Sequence, residues 1–151
     1  MKRILILGPG GSGKSTLSRR LGTITGIPVI EIDKVFWQPG LSALPSEEWI
    51  KVQRDLIAKD RWIIDGDLGS YDVVEERLRM ADTIVFLDFS LLRCVWRVLQ
   101  RSRERMDFWI WLLTYRWKSR PVLLQKIARH APQAKLHMLP NPAAIERFLA
   151  L

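Results

Sequence analysis

Apolar and polar positions alternate in blocks along this chain. Short apolar runs lie at 3–7 (RILIL), 28–32 (PVIEI), 61–64 (RWII), 83–87 (TIVFL) and 135–138 (KLHM). Runs of this length, rich in Ile, Leu and Val and bounded by Gly, Pro or Asp, predict buried strands. Between them lie segments with helical spacing. Leu17, Leu21 and Ile24 share one face of a helix over 14–25, which Gly26 ends. Residues 46–58 (SEEWIKVQRDLIA) predict another helix, with Glu47 and Glu48 favouring its N-terminal end. Further helices are expected over 72–80, 91–105, 108–117, 121–130 and 142–150, with Pro121 separating two of them. Strands alternating with helices predict an α/β fold, a parallel sheet covered on both faces. No repeat, low-complexity tract or linker interrupts the pattern, so residues 1–151 are read as one domain.

Composition adds limits. Of the 151 residues, 48% are hydrophobic, enough for one packed core. The longest apolar stretch, FWIWLL at 108–113, is far short of the roughly 20 residues of a membrane span. The N-terminal apolar run leads into Gly8–Lys14 and not into a small-residue cleavage site. A single cysteine, Cys94, leaves no internal disulfide; it reads as a core residue and fits a cytoplasmic location. His130 and His137 show no metal-ligand spacing.

The net charge of +8 is unevenly placed. Residues 1–92 hold 12 Lys+Arg against 13 Asp+Glu; residues 93–129 hold 10 against 2; residues 130–151 hold 2 against 1. The excess lies in one segment, eight of whose ten cations are arginine. A phosphate-rich partner suits such a segment, whether nucleotide or nucleic acid.

The junction between the first strand and the first helix narrows this. Gly8-Pro9-Gly10-Gly11-Ser12-Gly13-Lys14-Ser15 fits G-x-x-x-x-G-K-[ST] without adjustment. Glycines let successive backbone N–H groups turn inward as an anion nest, and the helix that follows aims its free N–H groups and dipole at the same anion. Lys14 then reaches the β- and γ-phosphates, the Ser15 hydroxyl ligates Mg²⁺, and Thr16 adds a contact to the α-phosphate. The motif therefore calls for a nucleoside triphosphate with Mg²⁺, and the family resemblance described next implies ATP.

WIIDG at 62–66 is a strand ending in Asp-Gly, and ADTIVFLD at 81–88 is a strand ending in aspartate, followed by a helix carrying Arg97 and Arg101. This order resembles the nucleoside-monophosphate kinase group of P-loop proteins. The elements EIDKVFWQPG (31–40), WIIDG, RLRMADTIVFLDF (77–89) and SRP (119–121) look like a small adenylate-kinase-like family often labelled "DNA topology modulation protein". The resemblance runs over nearly the whole chain. It implies a three-layer fold with sheet order 2-3-1-4-5, an acceptor-binding insertion over about 34–60 and a short basic lid segment over about 93–120.

By that resemblance Asp65 stands beside the phosphate loop and holds Mg²⁺ through water. Asp88 is the rival for this role. Asp33 ends the second strand, where it either faces the acceptor or caps the next helix. Arg97 and Arg101 match R-x-x-x-R and would clamp ATP; they belong to a ladder with Arg93 and Arg105, whose inner side is expected to hold Leu91, Val95, Val98, Leu99 and Ser102. Arg116 and Arg120 would close on the transferred phosphate. The adenine-contacting backbone is expected around Leu139-Pro140-Asn141.

The chain also departs from its relatives. Asp67 stands where they have Asn, the lid is shorter, and the arginine that adenylate kinase carries after Asp-Gly is missing, so AMP is not the implied acceptor. Trp96, Trp109, Trp111 and Trp117 lie among the arginines and read first as packing residues, with base stacking or a membrane surface as alternatives. Trp37 and Trp49 read as core, or as a cover for a ring-shaped acceptor.

The implied function is an ATP- and Mg²⁺-dependent phosphotransferase with an unidentified small-molecule or nucleotide acceptor. The competing readings are a nucleic-acid-binding regulator that uses ATP as a switch, and a weak ATPase.

Overall fold

Five strands form one parallel sheet in the computed structural model, which describes residues 1–36, 45–68, 72–101 and 106–151. They are β1 (Arg3–Leu7), β2 (Val29–Glu31), β3 (Trp62–Asp65), β4 (Thr83–Leu87) and β5 (Lys135–Leu139), in the order β2-β3-β1-β4-β5. This is the order that the resemblance implies. Of the expected site and cover residues, Trp37 and Arg105 lie outside the described residues, as does the side chain of Arg101.

The strand sequences place their own faces. Side chains alternate along a strand, so Leu5 and Leu7 enter one core with Ile64, Ile84 and Phe86. Ile4 and Ile6 enter the other with Ile63, Val85 and Leu87. The central strands are thus apolar on both faces, and β1 pairs in parallel with β3 on one side and β4 on the other. Helices α3 (Ser46–Ile57) and α4 (Glu75–Met80) cover the first face with Trp49, Ile57 and Leu78. The short α2 (Ile32–Phe36) adds Ile32 and Phe36 to it. Helices α1 (Lys14–Thr25), α5 (Leu91–Arg101) and α7 (Pro142–Leu149) cover the second with Leu17, Leu21, Val98 and Phe148.

The long α6 (Met106–His130) serves both faces: Leu112 belongs to the second core, and Tyr115, Leu123 and Ile127 to the first. It runs through Pro121 without a break, where the sequence predicts two helices. Proline inside a helix costs about 3 kcal/mol. Burying each of the large apolar side chains on either side contributes about 1.5–3 kcal/mol, which offsets that cost, and Pro121 itself sits on an exposed face.

Two packing expectations fail. Trp96 and Trp117 are 64% and 74% exposed, and Leu99, expected on the inner side of α5, is also exposed. The inner line of α5 is Cys94 and Val98, one turn apart and pressed against the phosphate loop, with Leu91 and Val95 half-buried beside them. That line is too narrow to take in Leu99. Trp109 and Trp111 do pack against the core.

The chain leaves β1 toward β2 and β3 on one side, while β4 and β5 extend the sheet on the other. A crevice opens at such a switch point, beyond the C-terminal ends of the strands. The glycine-rich loop begins there.

Candidate functional site

The loop between β1 and α1 is shaped by backbone that only glycine adopts freely. Gly11 and Gly13 have φ of +73° and +91°. Space is equally tight. A Cβ on Gly11 would lie 2.6 Å from the Cys94 carbonyl oxygen and 2.8 Å from Val98 Cγ2, and one on Gly10 would lie 2.6 Å from the Phe108 ring. Helices α5 and α6 therefore rest directly on the loop. The Ser12 hydroxyl donates to the Pro9 carbonyl at 2.6 Å and closes the turn. Lys14 Nζ donates to the carbonyls of Gly8 and Pro9, at 2.9 and 3.0 Å, so the ammonium lies back across the loop. Ser15 and Thr16 occupy the first turn of α1, where unpaired N–H groups and the helix dipole favour an anion.

Carboxylates face this cation. Asp65 ends β3 in register with Ile6 of β1, and only 5% of it is exposed. It accepts a hydrogen bond from the Ser18 hydroxyl at 2.9 Å, and the same hydroxyl donates to the Ser15 carbonyl at 2.9 Å. Burial pushes the Asp65 carboxyl above the usual carboxylate range, against the hydrogen bonds of Ser18 and Ser15 and the charge of Lys14. Asp33 lies in the first turn of α2. Its side chain is exposed at the crevice, where partial desolvation by the surrounding protein raises its carboxyl; Lys14 lowers it, and the negative charges of Asp65, Asp67 and Asp72 raise it further. Lys14, Asp33 and Asp65 thus share one electrostatic neighbourhood. Ser15 and Asp65 are hard oxygen donors side by side, and they suit Mg²⁺, which keeps several waters and takes few protein ligands. Among the described residues, no three His, Cys, Asp or Glu side chains gather as a metal-binding group. A Ser–Asp pair completed by phosphate oxygens does not require one.

On the other side of the loop is a cleft of about 150 Å³, lined by Gly13, Thr16, Arg97, Phe89, Pro142 and Ile145 among others. A Cβ on Gly13 would lie 3.1 Å from Arg97 Nη1, so this arginine stands over the start of α1. Its floor is fixed by Arg20, whose guanidinium takes both carboxylate oxygens of Glu146 at 2.6 and 3.0 Å. Asn141 caps α7 by accepting from the Ala144 N–H at 2.9 Å, with Pro142 at the first helical position. The expected base-contacting stretch 139–141 thus borders the cleft, although the Leu139 carbonyl is taken by the Asp88 N–H at 3.0 Å.

Arg120 and Arg116 are placed differently from Arg97. Arg120 Nε and Nη2 each reach Asp88 at 2.8 Å, a two-pronged pair that ties α6 to the end of β4, while Arg116 approaches the same carboxylate at 3.9 Å. The hydrogen bonds of Arg120 hold Asp88 below the usual carboxylate range. Asp88, the rival metal ligand, is occupied in this way, and Asp65 is the carboxylate beside Ser15.

Several residues at the site carried no signal that singled them out in the sequence. Arg77 is fully buried and pairs with Asp72 through both guanidinium nitrogens, while also donating to Gln53 and to the Gly66 carbonyl. Asp72 in turn accepts from the Leu68 N–H at 3.1 Å and from Trp49 Nε1 at 3.3 Å. Burial would raise Asp72, but Arg77 outweighs it and holds the carboxyl low. This network fixes the chain after Asp65-Gly66. Trp49 belongs to it and to the core, edge-on to Phe36 at 5.1 Å. Ser18 was legible only as the residue one turn after Ser15. On α6, the buried Tyr115 Oη and Trp111 Nε1 have no hydrogen-bond partner among the described residues. Burial drives the Tyr115 hydroxyl far up, so it remains a donor.

No protein-family model matches the chain, and no curated protein matches it. Solved structures do. A shikimate kinase from Acinetobacter baumannii is similar over 99% of this chain and 89% of its own, at 18% identity and a TM-score of 0.59. A gluconokinase from Sinorhizobium meliloti 1021 is similar over 99% and 94%, at 18% identity and a TM-score of 0.55. A deoxyadenosine kinase from M. mycoides, solved with dCTP, is similar over 97% and 96%, at 15% identity and a TM-score of 0.53. The chain has the fold of the P-loop kinases. Among the described residues, no helix is long and apolar enough to cross a membrane.

Proposed function

We propose that this protein is a phosphotransferase that moves the γ-phosphoryl group of ATP to the hydroxyl of a small acceptor. The observation that carries the reading is the placement of Lys14, Ser15, Asp33 and Asp65 around one phosphate loop at the sheet's switch point. In this reading the N–H groups of 8–16 cradle the phosphates and Lys14 turns from the Gly8 and Pro9 carbonyls onto them. Arg97 clamps the nucleotide from the side of the cleft that Pro142 and Ile145 border. Ser15, and Asp65 through water, would hold Mg²⁺, which would supply charge neutralisation to the phosphates. Phosphoryl transfer asks mainly for positioning and for neutral surroundings to the developing charge, and these residues supply both.

Asp33 is assigned to the acceptor. As the acceptor oxygen forms its new P–O bond and the old bond to the nucleotide breaks, the hydroxyl proton passes to the Asp33 carboxylate. Its raised affinity for protons suits it to that role. Arg116, loosely held at 3.9 Å from Asp88, is the α6 cation free to turn toward the transferred phosphate, whereas Arg120 anchors the helix. Arg101 takes the second place of the R-x-x-x-R pair.

The surroundings favour an acceptor that is neutral or carries an amine. The charges acting on Asp33 include three other carboxylates, and the nearby Arg77 is committed to Asp72. Titrating ATP with Mg²⁺ into the protein tests the nucleotide half of this account. Lys14→Ala is expected to weaken binding by about 10- to 100-fold, the loss of one charged hydrogen-bonding group. Binding left unchanged by Lys14→Ala would overturn the reading.

A further inference from the structure

Asp88 takes no part in the chemistry proposed for the loop, yet it follows β4 at the point where that strand touches the loop's first residue. A Cβ on Gly8 would lie 2.8 Å from the Leu87 carbonyl oxygen and 3.0 Å from Leu87 Cβ. The backbone is fixed on its other side as well, where the Asp88 N–H donates to the Leu139 carbonyl at 3.0 Å. The position of this carboxylate relative to the phosphate loop is therefore set by the sheet.

Two arginines of α6 meet it in unlike ways. Arg120 donates through Nε and Nη2, both at 2.8 Å, a planar fork that fixes angle as well as distance. Arg116, one turn earlier, approaches at 3.9 Å, beyond hydrogen-bond reach. Their side chains are 29% and 45% exposed, so the tightly held arginine is also the less exposed one. Like charges four apart on a helix repel, and Asp88 is the carboxylate that both approach. Arg116 also lines a small cleft with Pro9 of the loop, together with Cys94, Leu112 and Tyr115. One carboxylate thus gives its strong bonds to Arg120 and leaves Arg116 beside the loop with a weak one.

We propose that Asp88 is a positioning residue. Through Arg120 it fixes α6, and through its remaining attraction it keeps Arg116 where it can turn onto the terminal phosphate of a bound nucleoside triphosphate. The exchange is an easy one. Arg116 gives up a 3.9 Å contact for hydrogen bonds to a phosphate, while Arg120 keeps Asp88 paired. A diphosphate offers no such partner. Asp88 therefore sets a preference for triphosphate over diphosphate while touching neither. The inference rests on the role given to Arg116 in the proposed function.

The test compares binding of Mg·ATP and Mg·ADP to the full-length protein by calorimetry, which needs no acceptor. The parent is expected to prefer ATP. Arg116→Ala and Asp88→Asn are each expected to lower the ratio of the two affinities by about tenfold, the loss of one charged hydrogen bond. The double variant is expected to lower it no further, because the two residues act as one unit. A residue that only held the fold would weaken both nucleotides alike, and its effect would add to that of Arg116→Ala. Should Asp88→Asn not fold, Asp88→Glu carries the same prediction, since the longer side chain keeps the charge and displaces the arginines. The proposal is overturned by a parent that binds both nucleotides equally, by an Asp88 variant that keeps the parent's ratio, or by losses that add. The phosphotransferase reading fails separately. A ratio that behaves as expected, with no labelled product from any acceptor, would refute that reading and leave the role of Asp88 standing.

Discussion

At the scale of single residues, burial decides which charged groups hold structure and which do chemistry. Asp72 and Arg77 satisfy each other in the interior, and each leaves the other stranded if removed. Asp72→Ala is expected to cost about 3–5 kcal/mol of stability, measured by denaturant unfolding. Asp72 also has a sign in pH. Its carboxyl is held below the unfolded value, so its contribution is present above the ordinary carboxylate range and is lost as pH falls through its folded value. Stability of the parent should therefore drop on acidification more than that of Asp72→Asn. Asp33 and Asp65 have the opposite displacement: burial raises Asp65, and partial desolvation at the crevice raises the exposed Asp33. In the proposed reaction both must be ionised, one for the proton and one for the metal's water shell. The acidic limb of kcat/KM is accordingly expected above the ordinary carboxylate range; a limb at or below that range would contradict their assignment. Lys14 and Ser15 were legible in the sequence because their motif has fixed spacing. Arg77 was not, because nothing in a helix sequence says that a charge will meet Asp72 five residues before it, or that both will be buried.

Between elements, the central fact is that α5 and α6 rest on the phosphate loop. The neighbours differ in kind. Gly11 faces the backbone carbonyl of Cys94, which cannot move without α5, and it has a positive φ; Gly10 faces the end of a phenylalanine side chain. Gly11→Ala is expected to abolish ATP binding whatever its partners. Gly10→Ala should be relieved by Phe108→Ala, and ATP titrations of the single and double variants read this out. The elements themselves were largely legible, because buried strands announce themselves as apolar runs and α1 begins at a motif. The continuity of α6 was not, since proline's local cost is visible in the sequence and the compensating burial of Tyr115, Leu123 and Ile127 is not. The same limit applies to the tryptophans. A row of aromatics reads as core until the geometry shows that Cys94 and Val98 already fill the inner line of α5.

For the whole molecule, the sheet order and the crevice it opens put the groups proposed for nucleotide and acceptor on opposite sides of one loop. Arg97, Phe89 and Pro142 lie to one side, and Asp33 and Asp65 to the other. A ligand that binds only the folded state adds stability by mass action, about 2.7 kcal/mol at a hundred times its dissociation constant. For a chain of this size that is a rise of roughly 5–10 °C in Tm. Such a rise is expected with ATP and Mg²⁺, and it should shrink in Lys14→Ala. The acceptor was the least legible part. Only the fold brings α6 beside the loop.

The most direct measurement follows γ-labelled phosphate from Mg·ATP into a pooled panel of neutral polyols, amino alcohols, nucleosides and nucleoside monophosphates, with Lys14→Ala beside the parent. The account predicts a labelled organic product, from a neutral or amine-bearing hydroxyl compound, that disappears in the variant. Label recovered only as inorganic phosphate, at a rate that no acceptor raises, would contradict it.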